Sequence, residues 1–242
     1  MQNNQDKPAK TSRTEVRSMF DGIAPHYDFL NHFLSAGIDK CWRRKLIAMA
    51  LRHHPKHILD VATGTGDLAI AALKLTPDQI VGIDISEAML EIGKQKLFHK
   101  KLNQTIQLQS GDSEDIPFPD HSFDLVMVAF GVRNFENLQK GLLEMQRVLK
   151  SGGHVMILEF SKPQTFPVKQ LYHFYFTRIL PFLGRIISKH HNAYTYLPRT
   201  VIAFPQGKEF INILSGCGFN KISQRRLTFG IATIYEGEKS SL

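Results

Sequence analysis

Two hydrophobic rhythms alternate along the chain. Short apolar runs, among them Ile58-Leu59 with Val61-Ala62, Gln79 to Asp84, Thr105 to Gly111, Phe123 to Phe130 and His154 to Phe160, read as strands, the first buried on both faces as in a parallel sheet. Between them, Leu68 to Leu75, Glu87 to Leu102 and Leu138 to Lys150 carry apolar residues at helical spacing. Ser86 is placed to cap the second of these helices, and Ser151 to Gly153 predict a glycine stop for the third. Strand and helix in alternation predict an α/β fold with a mostly parallel sheet. The rhythm breaks over residues 164–205, which are rich in aromatic and basic groups and show no strand pattern. It resumes with a helix from Gly207 to Ser215, after which FNKISQRRL and GIATIYEG predict an antiparallel hairpin at a sheet edge.

Ahead of the first strand, Val16, Met19, Phe20 and Ile23 follow helical spacing, and two more helices, broken at Pro25 and Gly37, complete an N-terminal helical cap over residues 13–54. Residues 1–12 are polar without period and predict a disordered tail. The rest, 55–242, reads as one domain with 164–205 as an insertion; 242 residues at 43% hydrophobic support one sizeable core. Cys41 and Cys217 make no disulfide framework or metal spacing, and no N-terminal apolar stretch resembles a signal peptide, so a cytoplasmic location is expected. The apolar run around Phe174 is interrupted by Arg178, Pro181 and Arg185, too much for a helix crossing a bilayer. A formal net charge of +8 suits nucleic acid, an anionic membrane surface or an anionic ligand, and does not choose among them.

Chemistry first becomes legible in HILDVATGTGDLAIAALKL, His57 to Leu75. A strand gives way to Gly64 and Gly66 and then to a helix, so a ligand can lie against backbone without Cβ atoms, opposite the outward amides of a helix start. Gly64-x-Gly66-x-x-Ala69 also satisfies the dinucleotide fingerprint. Asp84 closes the second strand at the ligand edge, where a carboxylate can accept both hydroxyls of a ribose, and Asp112 follows the third strand nearby. A nicotinamide enzyme, an adenosyl-cofactor enzyme and a glycine turn that only packs helix on strand all fit these features. Tyr27 and Asp28, just after Pro25, are placed to close over a ligand, or equally to pack on the core and start a helix.

DVATGTGD, GIDIS, GDSEDIPFPDHSFDLV and RVLKSGGHVMILEFSKP, in this order over roughly residues 55 to 237, resemble the class I S-adenosylmethionine-dependent methyltransferases. MFDGIAPHYDFLN, AFGVRNF, LEFSKP and YTYLPRTVIAFP resemble, more narrowly, the menaquinone and ubiquinone biosynthesis C-methyltransferases. The resemblance implies a Rossmann-like fold whose seven-stranded, mostly parallel sheet ends in an antiparallel hairpin. It implies S-adenosylmethionine as cofactor, S-adenosylhomocysteine as its product, and no metal. Thr63 and the turn at Gly64 would hold the methionine portion and Asp84 the ribose. Asp112 and Ser113 would border the adenine, a carboxylate and a backbone amide reading the base edge as acceptor and donor. Ala62 stands where the wider class usually has its first glycine, Ala129 where some members have serine, and Pro198 to Thr200 replaces the family's more usual serine ending.

The implied reaction is C-methylation of a polyprenyl demethylmenaquinol to menaquinol, with a benzoquinol precursor of ubiquinone as the alternative ring and an RNA methyltransferase as a more distant alternative. The reduced ring is expected because its oxygens feed electron density to carbon, whereas the oxidised ring is itself an electrophile. Arg133, after strand four at the ligand edge, is the expected catalytic residue: a guanidinium there can stabilise a developing phenolate or hold a water that takes the proton, against the plainer reading as an ion-pair or cofactor-carboxylate partner. AFGVRNF stands where base-amine methylators carry Asn/Asp-Pro-Pro-aromatic and pyrimidine-carbon methylators Pro-Cys, so no nucleic-acid partner is expected. The acid-rich turn after strand three and the terminal hairpin speak against a nicotinamide dehydrogenase or a non-catalytic binding protein.

Residues 164–205 are expected to form a substrate lid. Phe166, Leu171, Phe174 and their neighbours, with Lys169, Arg178, Arg185 and Lys189, would also suit peripheral contact with the inner face of a membrane; the plain alternative is a helical cap packed on the sheet. The pairs His53-His54 and His190-His191 are expected to face solvent, neither having metal-site spacing with a third ligand. Oligomeric state is left open, a homo-oligomer included.

Overall fold

The computed structural model describes residues 12–28, 32, 35, 37–179 and 191–240. The expected tail, apart from Ser12, and most of the helix expected between Pro25 and Gly37 lie outside these residues, as do Arg185, Lys189 and His190. Ser12 starts helix α1 (Arg13–Ile23) with a capping box: its hydroxyl accepts from the Glu15 amide at 3.3 Å, and the Glu15 carboxylate accepts from the Ser12 amide at 3.0 Å. A 3₁₀ turn (Ala24–His26) carries Pro25, and Gly37, at φ 73°, opens α2 (Ile38–Ala50). Then β1 (His57–Val61), α3 (Asp67–Ala72), β2 (Gln79–Asp84), α4 (Glu87–His99), β3 (Ile106–Ser110), β4 (Phe123–Ala129), α5 (Leu138–Val148) and β5 (Leu149–Phe160) follow in the expected alternation. After these come α6 (Val168–Phe174), continued by a π-helical turn (Tyr175–Ile179), then α7 (His191–Ala203), α8 (Lys208–Gly216), β6 (Phe219–Leu227) and β7 (Ala232–Lys239).

The strands form one seven-stranded sheet in the order β3-β2-β1-β4-β5-β7-β6, parallel except for β7, which runs antiparallel to both neighbours. This is the α/β architecture that the resemblance implied. Ile58 packs with Trp42, Leu46 and Ile47 of α2 and Leu68 of α3 on one face, while Leu59 and Val61 pack with Leu142 and Met145 of α5 and Phe210 of α8 on the other. Neighbouring residues of β1 thus serve opposite cores, which is why Ile58, Leu59 and Val61 do not follow a simple apolar–polar alternation, although Asp60 between them is buried and polar. Helix α2 belongs to a sheet face, whereas α1 packs on α4. Among the described residues, no helix is long and apolar enough to cross a membrane.

Strand β5 corrects one expectation. Ser151 to Gly153 do not stop a helix: α5 ends at Val148, and Leu149 is already extended at φ −70°, ψ 140°. Leu149 is fully buried and pairs with Phe123, while the next pair is Leu125 with His154, so the two glycines lie in a bulge within the strand. Gly152 takes φ 74°, and a Cβ on Gly153 would come within 2.9 Å of the Lys150 carbonyl oxygen. Burial of Leu149 beside Phe123 commits the chain to the sheet before the glycines are reached.

Candidate active site

Strand order reverses between β1 and β4, with β2 and β3 to one side and the remaining strands to the other. The turns leaving β1 and β4 therefore diverge and open a crevice at the carboxyl edge of the sheet. Ala62, Gly64 and Gly66 in the first turn take φ of 52°, 56° and 81°. Ala62 thus holds a glycine-like backbone at a cost of roughly 1–2 kcal/mol. Across the crevice, a Cβ on Gly131 would lie 2.6 Å from that of Ala62, so the loop after β4 approaches the turn only because position 131 has no side chain. Gly82 does the same for Thr63, whose Oγ1 would meet a Cβ there at 2.7 Å.

A cleft lies over this edge of the sheet. Gly64, Asp84, Asp112 and Ser113 all line it, together with Ala62, Ala129, Phe130, Asn134 and Phe135, and Phe20 and Tyr27 contribute from the N-terminal segment. The Gly64 amide donates to Asp84 Oδ2 at 2.8 Å and the Ser86 amide to Oδ1 at 2.9 Å. A carboxylate oxygen accepts two hydrogen bonds, so each retains capacity for one hydroxyl of a diol. Burial raises the Asp84 carboxyl above its usual range, against the pull of the Ser86 and Gly64 amides. Thr63 lines a smaller adjoining recess with Asp60, Arg43 and Asp67, where its hydroxyl donates to Asp60 Oδ2 at 2.7 Å. Burial lifts Asp60 to about 7, although the Thr63 hydroxyl and the Arg43 charge act to lower it.

Arg133 lies beside the cleft without lining it. Its Nη1 donates to Glu159 Oε1 at 2.7 Å and to the Phe130 carbonyl, its backbone amide donates to Glu159 Oε2 at 3.3 Å, and its guanidinium stands 5.4 Å from the Phe160 ring centroid. Both side chains are buried, so this is the ion-pair arrangement that the sequence left beside the catalytic one. Next in the chain, Asn134 does line the cleft and accepts from the Tyr196 hydroxyl of α7 at 3.0 Å. The sequence reading passed over Asn134 because an amide in a loop carries no spacing signal; its position beside Arg133 at the end of β4 is what could have marked it.

Arg13 was missed as well. In the first turn of α1 it pairs with Asp112 and reaches Glu114 at 3.2 Å, fastening α1 to the loop after β3. Nothing local announces a partner 101 residues away. Asp28 accepts from the Thr65 hydroxyl and from Lys96 Nζ, each at 2.6 Å, and so ties the N-terminal segment to the glycine turn. Tyr27 lines the cleft with its ring edge-on to Phe20 at 5.9 Å between centroids. His53 departs from the expected solvent exposure: its Nε2 lies 2.7 Å from Glu236 Oε1 and its ring stacks on His154. His54 is exposed as expected.

The sequence pattern of the ubiE/COQ5 methyltransferase family matches residues 7–239. A demethylmenaquinone methyltransferase of Bacteroides fragilis is 50% identical over 226 residues, covering 93% of this chain and 92% of its own. A ubiquinone/menaquinone biosynthesis C-methyltransferase UbiE of Geotalea daltonii is 49% identical over 228 residues, covering 93% and 96%. The crystal structure of a SAM dependent methyltransferase from Aquifex aeolicus superposes with a TM-score of 0.54 at 19% identity, over 76% of this chain and 81% of that one, a likeness of fold. The matched residues take in every strand of the sheet and both walls of the crevice, and the chain belongs to the ubiE/COQ5 methyltransferase family.

Proposed function

We propose that this protein methylates a ring carbon of a polyprenyl quinol, converting a demethylmenaquinol to menaquinol with S-adenosylmethionine as donor. The carrying observation is the crevice at the strand-order reversal, where Asp84 holds one backbone amide on each oxygen and keeps capacity for a ribose diol. Asp112 and Ser113 are then the adenine border, and the recess of Asp60 and Thr63 offers a carboxyl to the ammonium of a methionine end, with Arg43, whose Nη1 is paired with Asp39, lending positive charge toward its carboxylate. The bound cofactor supplies a methyl group on a positively charged sulfur. The accepting ring carbon gains a carbon–carbon bond and gives up its hydrogen as a proton, so the site needs a route for that proton and relief for the charge on the ring oxygen. We assign Asn134 and the Tyr196 hydroxyl to the wall that meets the ring oxygen. Arg133, pinned by Glu159, positions the loop that carries Asn134.

The segment 164–205 is proposed as the lid over the polyprenyl tail. Tyr196 supports this by reaching Asn134 from α7. Phe166, Leu171 and Phe174 are 81%, 64% and 57% exposed, apolar area of the kind that shields a hydrocarbon chain or lies against a lipid surface, and the reading places the protein at the inner face of a membrane. Incubation with labelled S-adenosylmethionine and each of the two demethylated quinols tests the reading. Label is expected in menaquinol. Label in the benzoquinol product alone would reassign the ring, and S-adenosylmethionine bound without label entering either quinol would remove the quinol reading.

A further inference from the structure

A second cluster of chemically capable side chains stands at the opposite end of the sheet. His53 ends the 3₁₀ turn after α2 (Leu51–His53), His154 lies in β5 opposite Leu125 of β4, and Glu236 lies in β7 opposite Met156. The cleft lies beyond the other end of β5, and from His154 to Phe160 the strand rises roughly 20 Å at about 3.3 Å per residue. Methyl transfer uses none of these three residues.

The geometry around Glu236 is divided between its two oxygens. Oε2 is taken by the Arg52 guanidinium. Oε1 lies 2.7 Å from His53 Nε2 and 3.9 Å from His154 Nδ1, and the two imidazole rings stack at 3.5 Å between centroids. The three candidate ligand atoms all lie within 4.8 Å of one another. A tetrahedral ion with bonds of about 2.0–2.1 Å needs ligand atoms roughly 3.3 Å apart, so on binding His53 Nε2 moves out from its 2.7 Å contact with Oε1, His154 Nδ1 moves in from 3.9 Å, and the two stacked rings turn apart. Glu236 is 5% exposed, His53 13% and His154 18%, so the cluster is sheltered but can be reached from solvent. His154 Nδ1 is buried with no hydrogen-bond partner, the condition a bound ion would relieve. Arg52 holds the oxygen that the histidines leave alone, and its Nε also donates to His53 Nε2 at 3.3 Å; an ion would take that nitrogen from it and leave Arg52 as an outer partner that orients the carboxylate.

We propose that His53, His154 and Glu236 bind a divalent transition-metal ion of the zinc class. Two imidazoles and a carboxylate are a donor set for zinc, cobalt or nickel; a hard ion such as magnesium takes oxygen ligands. Water completes the tetrahedron. The ion joins the turn after α2 to the β5–β7 pair, so its effect is on stability and not on methyl transfer.

Thermal unfolding of the full chain with zinc chloride, and its visible spectrum with cobalt chloride, test this without any activity measurement. Zinc at a hundredfold excess over its Kd should raise Tm by roughly 5–10 °C. Cobalt should give the intense visible bands of a tetrahedral site, and magnesium should do neither. His53→Gln and His154→Phe should each abolish both responses, while His54→Ala, on an exposed neighbour, keeps them. If His154→Phe fails to fold, His53→Gln on the turn decides alone. The proposal is overturned if equilibrium dialysis finds no zinc on the parent protein, or if the variants respond as the parent does, which would place the ion on other histidines and leave Glu236 as an ion-pair partner only.

Discussion

Asp84 ends β2 with one backbone amide on each carboxylate oxygen, so a single side chain sets the shape of the glycine turn and the start of α4 while facing the cleft. Removing it acts twice: Asp84→Ala takes two charge-assisted hydrogen bonds from the ribose and leaves the Gly64 and Ser86 amides without their acceptor. The first loss alone amounts to about 3 kcal/mol or more, at least a hundredfold in affinity. Calorimetric titration of folded Asp84→Ala with S-adenosylmethionine checks this, and unchanged binding would remove the ribose assignment. Asp84 was legible in the sequence because a strand-end acid after a glycine turn has a fixed place relative to the ligand edge. The partner of Arg133 was not: Glu159 is supplied by β5, 26 residues on, and only the finished sheet brings the two together.

At the scale of elements, the crevice depends on two loops passing closer than side chains permit. Gly131→Ala would set a Cβ 2.6 Å from that of Ala62, and overpacking of this kind costs about 1–3 kcal/mol. We expect lower stability and at least a tenfold weaker grip on S-adenosylmethionine, because the displaced turn is the one that Asp84 holds. Ala62→Gly deletes the opposing atom and relieves a left-handed alanine, so alone it should raise Tm by roughly 2–4 °C. The double variant should recover most of what Gly131→Ala loses, a non-additivity visible in paired thermal melts. Strictly additive effects would show that the loops do not share this contact. Element type was readable wherever periodicity and burial agreed, as in β1, β2 and the final hairpin. It failed at Ser151 to Gly153, because a glycine pair that ends a helix and one that makes a strand bulge look alike until Leu149 is known to pair with Phe123.

Across the whole molecule, the exposed aromatics of α6 and the segment before it stand with Lys169 and Arg178, both exposed. If this face meets an anionic bilayer, each basic group contributes about 1 kcal/mol, so reversing Lys169 and Arg178 to glutamate should cut sedimentation with anionic vesicles by roughly tenfold or more. Turnover of long-tailed quinols should slow while short-tailed soluble analogues are spared, and equal vesicle binding by variant and parent would leave the segment as a lid alone. The position of β7 has a different consequence, in the order of synthesis. It is the last of the seven strands to leave the ribosome, yet it lies inside the sheet between β5 and β6. From Phe160 to its partner Ala232 the ribosome adds 72 residues, roughly 4–14 s of translation at about 5–20 residues per second. Through that interval the nascent chain presents the edge of β5 unpaired, and β6 emerges with no strand beside it. The sheet closes only when β7 slides between them, so the newborn protein spends its longest exposed interval waiting for a strand that its finished form buries on both sides.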